Sequence, residues 1–409
     1  AGTGRFFRLE PAEREALRQA RESFGDGDYQ DIKQIEARTA HDVMACVEHL
    51  RARFPARAEW IHFALTSEDV NNLAYSLIIR DYAQQLQLPL LDRVIRKLLE
   101  LAGRWADEPF PAKTHGQPAS PTTAGKELAV FAARLARQRR QLKACRFRGK
   151  FGGATGTWSA LAAADPAQDW IAFSRKFVES LGLEFNPATT QIEDRDAWSE
   201  YFSITGRINT ILLDLDVDAW EYLSRGFLAQ RGKAGEVGSS TMPHKINPIR
   251  FENSEGNLVL ANSLLATLSE RLCHSRMQRD LSDSTVVRNV GVALAHSHLA
   301  WQETLAGLDT LDLDAAACRA ELERSPQLLA EPYQIVLRAA GMKDAYARLK
   351  DLTRGRAVTL ADFHRLLESC PVDAAVKARL RKLDVAGYTG LAGRVCREAL
   401  AAAEQELQD

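Results

Sequence analysis

The 409-residue chain reads as an all-α protein built around a long helical bundle. Apolar residues recur three and four apart through its middle, the spacing that places them on one face of a helix, and strand signals are sparse. One series, Leu258, Ala261, Leu265, Leu268 and Leu272, keeps a strict seven-residue repeat, so the helices there should pack nearly parallel. Their length implies that other copies of the chain cover part of the apolar surface, which predicts a homo-oligomer.

In chain order, the run from Trp60 to Asp69 leads into a helix with Thr66 or Ser67 at its cap, where orphan N–H groups favour an anion. On spacing alone this is an ordinary cap with Asp69 in the first turn. Pro89 separates Leu73 and Leu77 from Leu91, Val94 and Leu98, and its missing N–H requires a kink or break. Thr114-His115-Gly116-Gln117-Pro118 is a compact polar loop ahead of a helix expected to start near Pro121. Leu128, Phe131, Leu135 and Leu142 form the seam of that helix, and Ile204, Ile208, Ile211 and Leu215 the seam of another. Gly149 to Gly156 reads as an irregular connection, lacking the Gly-Lys-Ser/Thr of a phosphate loop. Thr353 to Thr359 reads as a connector within a smaller C-terminal helical domain.

Lys and Arg number 53 against 54 Asp and Glu, so the chain as a whole offers no electrostatic case for nucleic acid or membrane, and an anionic ligand must be met locally. Cys46, Cys145, Cys273, Cys318, Cys370 and Cys396 show neither CxxC pairs nor disulfide spacing, which favours a reducing, cytoplasmic setting. No apolar run approaches the ~18 residues of a membrane span. The start from Ala1 to Glu10 lacks the apolar core of a signal peptide.

The densest chemistry lies in Gly238-Ser239-Ser240-Thr241-Met242-Pro243-His244-Lys245-Ile246-Asn247-Pro248, with Gly232 and Gly235 upstream. Hydroxyls, an imidazole, a cation and an amide on a glycine-led loop between helices predict a lid that carries catalytic groups. His115 has a side chain suited to proton donation at neutral pH. Arg276, Arg279, Ser284 and Arg288 surround Asp280 and Asp283 in a donor-rich run suited to gripping phosphate or carboxylate, although a solvated helix face has the same composition. Metal chemistry is not expected: His296 and His298 point to different sides of a helix, and Cys273-His274 has no companion pair. A Ser-His hydrolase would lack the Gly-x-Ser-x-Gly elbow.

Ser239-Ser240-x-Met242-Pro243-x-Lys245-x-Asn247-Pro248 resembles the signature loop of the fumarase/aspartase superfamily. His244, the run Arg38 to Val43, Thr190 to Glu193, Arg279 to Ser284 with Arg288, and Phe251 to Asn257 resemble the adenylosuccinate lyases of the bacterial type in particular. The likeness extends from about Asp28 to the C-terminus. It implies a three-domain fumarase/aspartase-type fold with domains at 1–68, 69–310 and 311–409, the lid lying near 232–248. It also implies a homotetramer with a twenty-helix core and active sites shared among three subunits.

The implied reaction is elimination of fumarate from adenylosuccinate and from the succinyl-carboxamide ribotide of purine synthesis, without cofactor or metal. By resemblance Ser240 is the base, His115 the general acid oriented by Glu252, and Lys245 and Asn247 stabilise the carbanion. Thr66 and Ser67 hold a succinyl carboxylate, and His62 and Gln191 help place the substrate. Arg38, His41, Arg279, Ser284 and Arg288 contact the nucleotide, and Asp42, Thr114, Ser239 and Met242 complete the binding set. The stretch before Arg38 is shorter than the family usually carries and lacks its Asp-Gly-Arg-Tyr-type segment, which bears on phosphate binding. His244 and the Thr190 to Glu193 motif argue against a sister lyase such as argininosuccinate lyase. The presence of Ser240, His115, Lys245 and Glu252 argues against a non-catalytic structural homologue.

Overall fold

A computed structural model of the chain describes residues 6, 8–232, 242 and 245–408. As expected, the elements are overwhelmingly helical, and the described strands form three small two-stranded sheets. The chain divides into two compact units. One comprises the residues up to Tyr82 with Cys145–Glu200 and Ser269–Val287; the other comprises Ala83–Ala144, Tyr201–Leu268 and Arg288–Asp409.

In the first unit the Asp26–Thr39 and Asp42–Arg53 helices pack on each other, and the Ser67–Tyr82 helix packs on the short Arg148–Gly149 strand. Asn72, buried on that helix, joins the two by pairing with both backbone groups of Lys150: it accepts from the N–H at 2.8 Å and donates to the carbonyl at 3.1 Å. A buried side-chain amide is tolerated because its polar atoms are used. The glycine-rich stretch after Gly149 is irregular, as expected, and Gly156 is needed there twice over. Its φ is +71°, and a Cβ would lie 2.1 Å from the carbonyl oxygen of Thr189.

The second unit holds the bundle. The predicted seams are its buried faces: Leu128, Phe131, Leu135 and Leu142 on the Ala124–Ala144 helix, Ile204, Ile208, Ile211 and Leu215 on Asp196–Ser224, and Leu258, Ala261, Leu265 and Leu268 on Ile249–Arg271. Full burial of one such leucine contributes about 1.5–3 kcal/mol. The break demanded by Pro89 appears as a π-helical turn at Ala83–Gln87, with the proline in the first turn of Leu88–Arg104, where a missing N–H costs least. Gln87 is buried and accepts from the Tyr201 hydroxyl at 2.6 Å. The final helix, Ala392–Gln408, packs on Leu88–Arg104 and Ala124–Ala144, where Arg139 pairs with Asp92 at 2.8 Å and donates to the carbonyls of Glu406 and Leu407. Leu329, Tyr333, Leu337, Phe363 and Leu367 centre a further apolar cluster, and Thr353–Thr359 is the connector within it, with Gly355 at φ +68°.

Hydroxyls and carboxyls thread the bundle interior. Trp301 donates to Asn209 at 2.7 Å, and Asn209 donates to Ser297 at 2.9 Å. Asp216 accepts from Thr304, which also meets Ser254 at 2.8 Å. Burial without a counter-ion pushes the Asp216 carboxyl up to about 8, against the opposing effect of the Ser254 and Thr304 hydroxyls. A carboxyl raised on folding binds its proton more tightly in the native state, so stability is fully present below the unfolded value of about 3.9 and is lost as pH rises towards 8. Asp216→Asn should therefore melt higher than wild type at pH 9 and close to it at pH 4; an equal difference at both pH values, followed by calorimetry, would contradict the assignment.

Candidate active site

His115 sits at the tip of a β-hairpin, Pro109–Thr114 with Gln117–Thr123, rather than in a loop entering a helix. The helix expected near Pro121 begins at Ala124 because the second strand occupies the intervening residues. Thr114 pairs with Gln117, leaving a two-residue turn in which His115 and Gly116 have φ of 53° and 74°. Two positive φ values suit the right-handed twist of a hairpin; glycine adopts them freely, whereas histidine pays about 1–3 kcal/mol. The result is an exposed imidazole on a strained backbone position, beside the exposed Thr114. Lys113, 3.7 Å from Glu321, and Ser120, bonded to Glu331, brace the hairpin against the C-terminal helices.

Of the predicted lid, Ser239, Ser240, Pro243 and His244 lie outside the described residues. Met242 and Lys245 are exposed, and the Lys245 N–H donates to the Met242 carbonyl at 3.1 Å. Lys245, Asn247 and Pro248 line a cleft of about 400 Å³ with Trp220, Leu223 and Glu252. That volume lies within the range of small-molecule pockets. Glu252 stands in the first turn of Ile249–Arg271, where the helix dipole favours an anion, and accepts from the Trp220 indole N–H at 3.1 Å. The expected contact between Glu252 and His115 is not made within one chain: among the described residues no hydrogen bond joins them, and the carboxylate takes the indole instead.

In the other unit, Thr66 immediately precedes Ser67–Tyr82, and its N–H is already held by Asp69 at 2.9 Å. Asp69, fully buried, also accepts from Gly152 and Gly153 and meets the buried Lys150 ammonium at 2.9 Å. Lys150 is pushed below its ordinary range by burial, and the Asp69 charge acts against that shift. Beside it, buried Glu68 lies between Arg195 at 3.5 Å and Arg279 at 3.4 Å, and both guanidinium groups reach Asp283, at 2.6 and 3.1 Å. Arg279, expected at a phosphate, is thus engaged by two carboxylates. The rest of its run is a turn around Asp280, which accepts from Ser275, Ser282 and the Arg276 N–H and is held far below the usual carboxylate range chiefly by Ser282.

Gln191 donates to the Ala154 carbonyl at 3.0 Å, tying the glycine-rich stretch to the Thr190 to Glu193 motif. Glu193 is itself buried, which pushes it up to about 7. His62 has φ 66° and is held below its ordinary range chiefly by burial, with the Asp69 charge acting against that shift. His41 caps the Asp42–Arg53 helix, its Nδ1 accepting from the Met44 N–H, while Arg38 pairs with Glu48 at 2.5 Å. Ser284 donates to the Leu281 carbonyl; Asp42 and Arg288 are exposed. Sequence reasoning missed Arg195 and Lys150: Arg195 stands among Glu193, Asp194 and Asp196 and Lys150 follows Arg146 and Arg148 into the glycine-rich stretch, so neither stands out as a buried cation.

Among the described residues no three His, Cys, Asp or Glu side chains are grouped as metal ligands would be, and no helix is long and apolar enough to cross a membrane. Comparison with known proteins matches residues 10–262 to a family described as lyase and residues 275–389 to one described as adenylosuccinate lyase C-terminal. Adenylosuccinate lyases from Escherichia coli and Vibrio cholerae are each 44% identical over 90% of this chain, covering 82% and 83% of their own lengths. The one from Buchnera aphidicola of Acyrthosiphon pisum is 40% identical over 92% of the chain and 84% of its own length. In fold the chain is similar to a 3-carboxy-cis,cis-muconate lactonizing enzyme from Pseudomonas putida, with TM-score 0.80, 23% identity and coverage of 96% and 89%. It is similar also to a fumarate lyase from Mesorhizobium sp. BNC1, with TM-score 0.82, 19% identity and coverage of 97% and 91%.

The buried charges make one clear prediction. Asp69→Ala strands the Lys150 ammonium and frees Gly152, Gly153 and Thr66, so urea titration should show about 3–5 kcal/mol lost. Asp69→Ala with Lys150→Met should recover part of that loss; no recovery would mean that the pair is not what holds the segment.

Proposed function

Because the chain belongs to the adenylosuccinate lyase family, we propose that it cleaves adenylosuccinate to AMP and fumarate and removes fumarate from the succinylaminoimidazole carboxamide ribotide of purine synthesis. The observation that carries this reading is 44% identity over nine-tenths of the chain to proteins named for that activity. The cleft where Lys245, Asn247 and Glu252 converge supports it.

In the proposed reaction Ser240 removes the Cβ proton of the succinyl group, and the electron pair passes into the neighbouring carboxylate as a carbanion. Lys245 and Asn247 stabilise that charge. The pair then forms the fumarate double bond as the C–N bond breaks, and His115, its imidazole oriented by Glu252, delivers a proton to the departing nitrogen. A serine hydroxyl is a weak base in water, so lid closure that excludes solvent and brings a cation to the alkoxide is part of the proposal. Thr66, Ser67, His62 and Gln191 serve the succinyl end; Arg38, His41, Asp42, Arg279, Ser284 and Arg288 serve the nucleotide; and Thr114, Ser239 and Met242 complete the contacts.

The three-part division at 68/69 and 310/311, the homotetramer and the active site shared among three subunits belong to the same proposal. Support comes from exposed apolar side chains on the long helices, among them Val217, Val259, Leu260, Val292 and Leu299, which packing against other copies of the chain would bury. It comes also from a hairpin that presents His115 outward. Six free cysteines support a reducing, cytoplasmic setting.

Ser240→Ala should lower turnover about 10²–10⁴-fold while leaving substrate binding nearly unchanged, since the lost group acts in the transition state. An equal loss of binding, measured by calorimetry, would count against the base. Mixing Ser240→Ala with His115→Ala protein under conditions of subunit exchange should restore activity, because some mixed sites hold both residues intact. No recovery with exchange demonstrated would refute the shared site.

A further inference from the structure

Glu252 has a task in the proposed reaction that depends on direction: one carboxylate oxygen must face the imidazole of His115. A glutamate has three rotatable side-chain bonds, and this one is exposed at the edge of the cleft, so something must fix its rotamer. Trp220 reaches it, with the indole Nε1–H donating to Oε1 at 3.1 Å. Indole nitrogen is a donor only, carried on a rigid ring with two side-chain torsions, so it specifies both the position and the acceptor character of the oxygen it meets. Among the described residues no side chain reaches the other oxygen.

The bundle holds this pair in register. Trp220 lies one helical turn beyond Asp216 on Asp196–Ser224, and Ser254 lies two residues beyond Glu252 on Ile249–Arg271. Asp216, Thr304 and Ser254 form the buried hydroxyl-carboxyl set described above, which ties Asp196–Ser224 to Ile249–Arg271 through Thr304 within about one turn of Trp220 and of Glu252 along the helix axes. A site supported by side chains on two rigid helices is held far more accurately than one supported by a loop.

We propose that Trp220 is a positioning residue for the elimination: its indole N–H pins Oε1 of Glu252, so that Oε2 is presented to His115 of another subunit. The inference rests on the reading of Glu252 and His115 given under Proposed function. It requires no new reactant, since the indole keeps its proton and only the orientation of the carboxylate changes.

Trp220→Phe keeps the aromatic wall of the cleft and deletes only the donor. In the full-length protein it should lower kcat about tenfold, leave KM within about twofold, and move the alkaline limb of the kcat–pH profile to lower pH because the imidazolium is less well held. In a Glu252→Gln background the same change should have no further effect on kcat, the signature of a residue that acts through its neighbour. Wild-type kcat in Trp220→Phe, a loss expressed in KM instead, or a loss that multiplies onto that of Glu252→Gln would each overturn the inference. Wild-type kcat in Glu252→Gln alone would instead overturn the role of Glu252, and this inference with it. Should Trp220→Phe fail to assemble, 15N-tryptophan spectra of Glu252→Gln protein provide the second test: one indole N–H resonance should move, and an unchanged spectrum overturns the contact.

Discussion

Glu68 and Asp69 enter the interior side by side at the first turn of Ser67–Tyr82, and two adjacent buried carboxylates are tenable only if every charge is matched. Asp69 is matched by Lys150 and by the N–H groups of Thr66, Gly152 and Gly153; Glu68 is matched by Arg195 and Arg279, which share Asp283. Thr66, the glycine-rich stretch, the Gln191 contact to Ala154 and the guanidinium of Arg279 are all anchored to this lattice. Its two arginines and two carboxylates balance, as do Lys150 and Asp69. The lattice therefore fixes geometry without leaving a net buried charge.

The second unit solves a related problem with neutral groups. Asn209, Ser297 and Trp301, and then Asp216, Thr304 and Ser254, place hydrogen bonds at intervals along otherwise apolar seams. Leucine packing alone tolerates sliding of one helix along another; such polar sets specify one register. Register matters here because Glu252 and the cleft with Lys245 and Asn247 stand at the start of Ile249–Arg271, where a shift of one turn would carry them about 5 Å.

The helical seams were legible in the sequence because burial acts on every third or fourth residue and leaves a long record; Leu128 to Leu142 and Leu258 to Leu268 are buried as the spacing implies. The break at Pro89 was legible for a local reason, the missing donor. The hairpin carrying His115 was not: its strands contain Pro111, Pro118 and Pro121, a residue type that sheets disfavour, and its turn rests on a histidine at positive φ that few sequences would signal. The partners of Arg279 were also hidden, since Glu68 and Arg195 are distant in sequence and a run of donors looks the same whether it meets a ligand or a carboxylate. The motif residues Ser240 and His244 were conspicuous in sequence yet lie outside the described residues, so their roles rest on chemistry and resemblance.

The most direct measurement is the change in ultraviolet absorbance when the purified, assembled protein is added to adenylosuccinate, with the products separated and identified. The account predicts that AMP and fumarate appear in equal amounts. An assembled protein that leaves adenylosuccinate intact while releasing fumarate from argininosuccinate would contradict it.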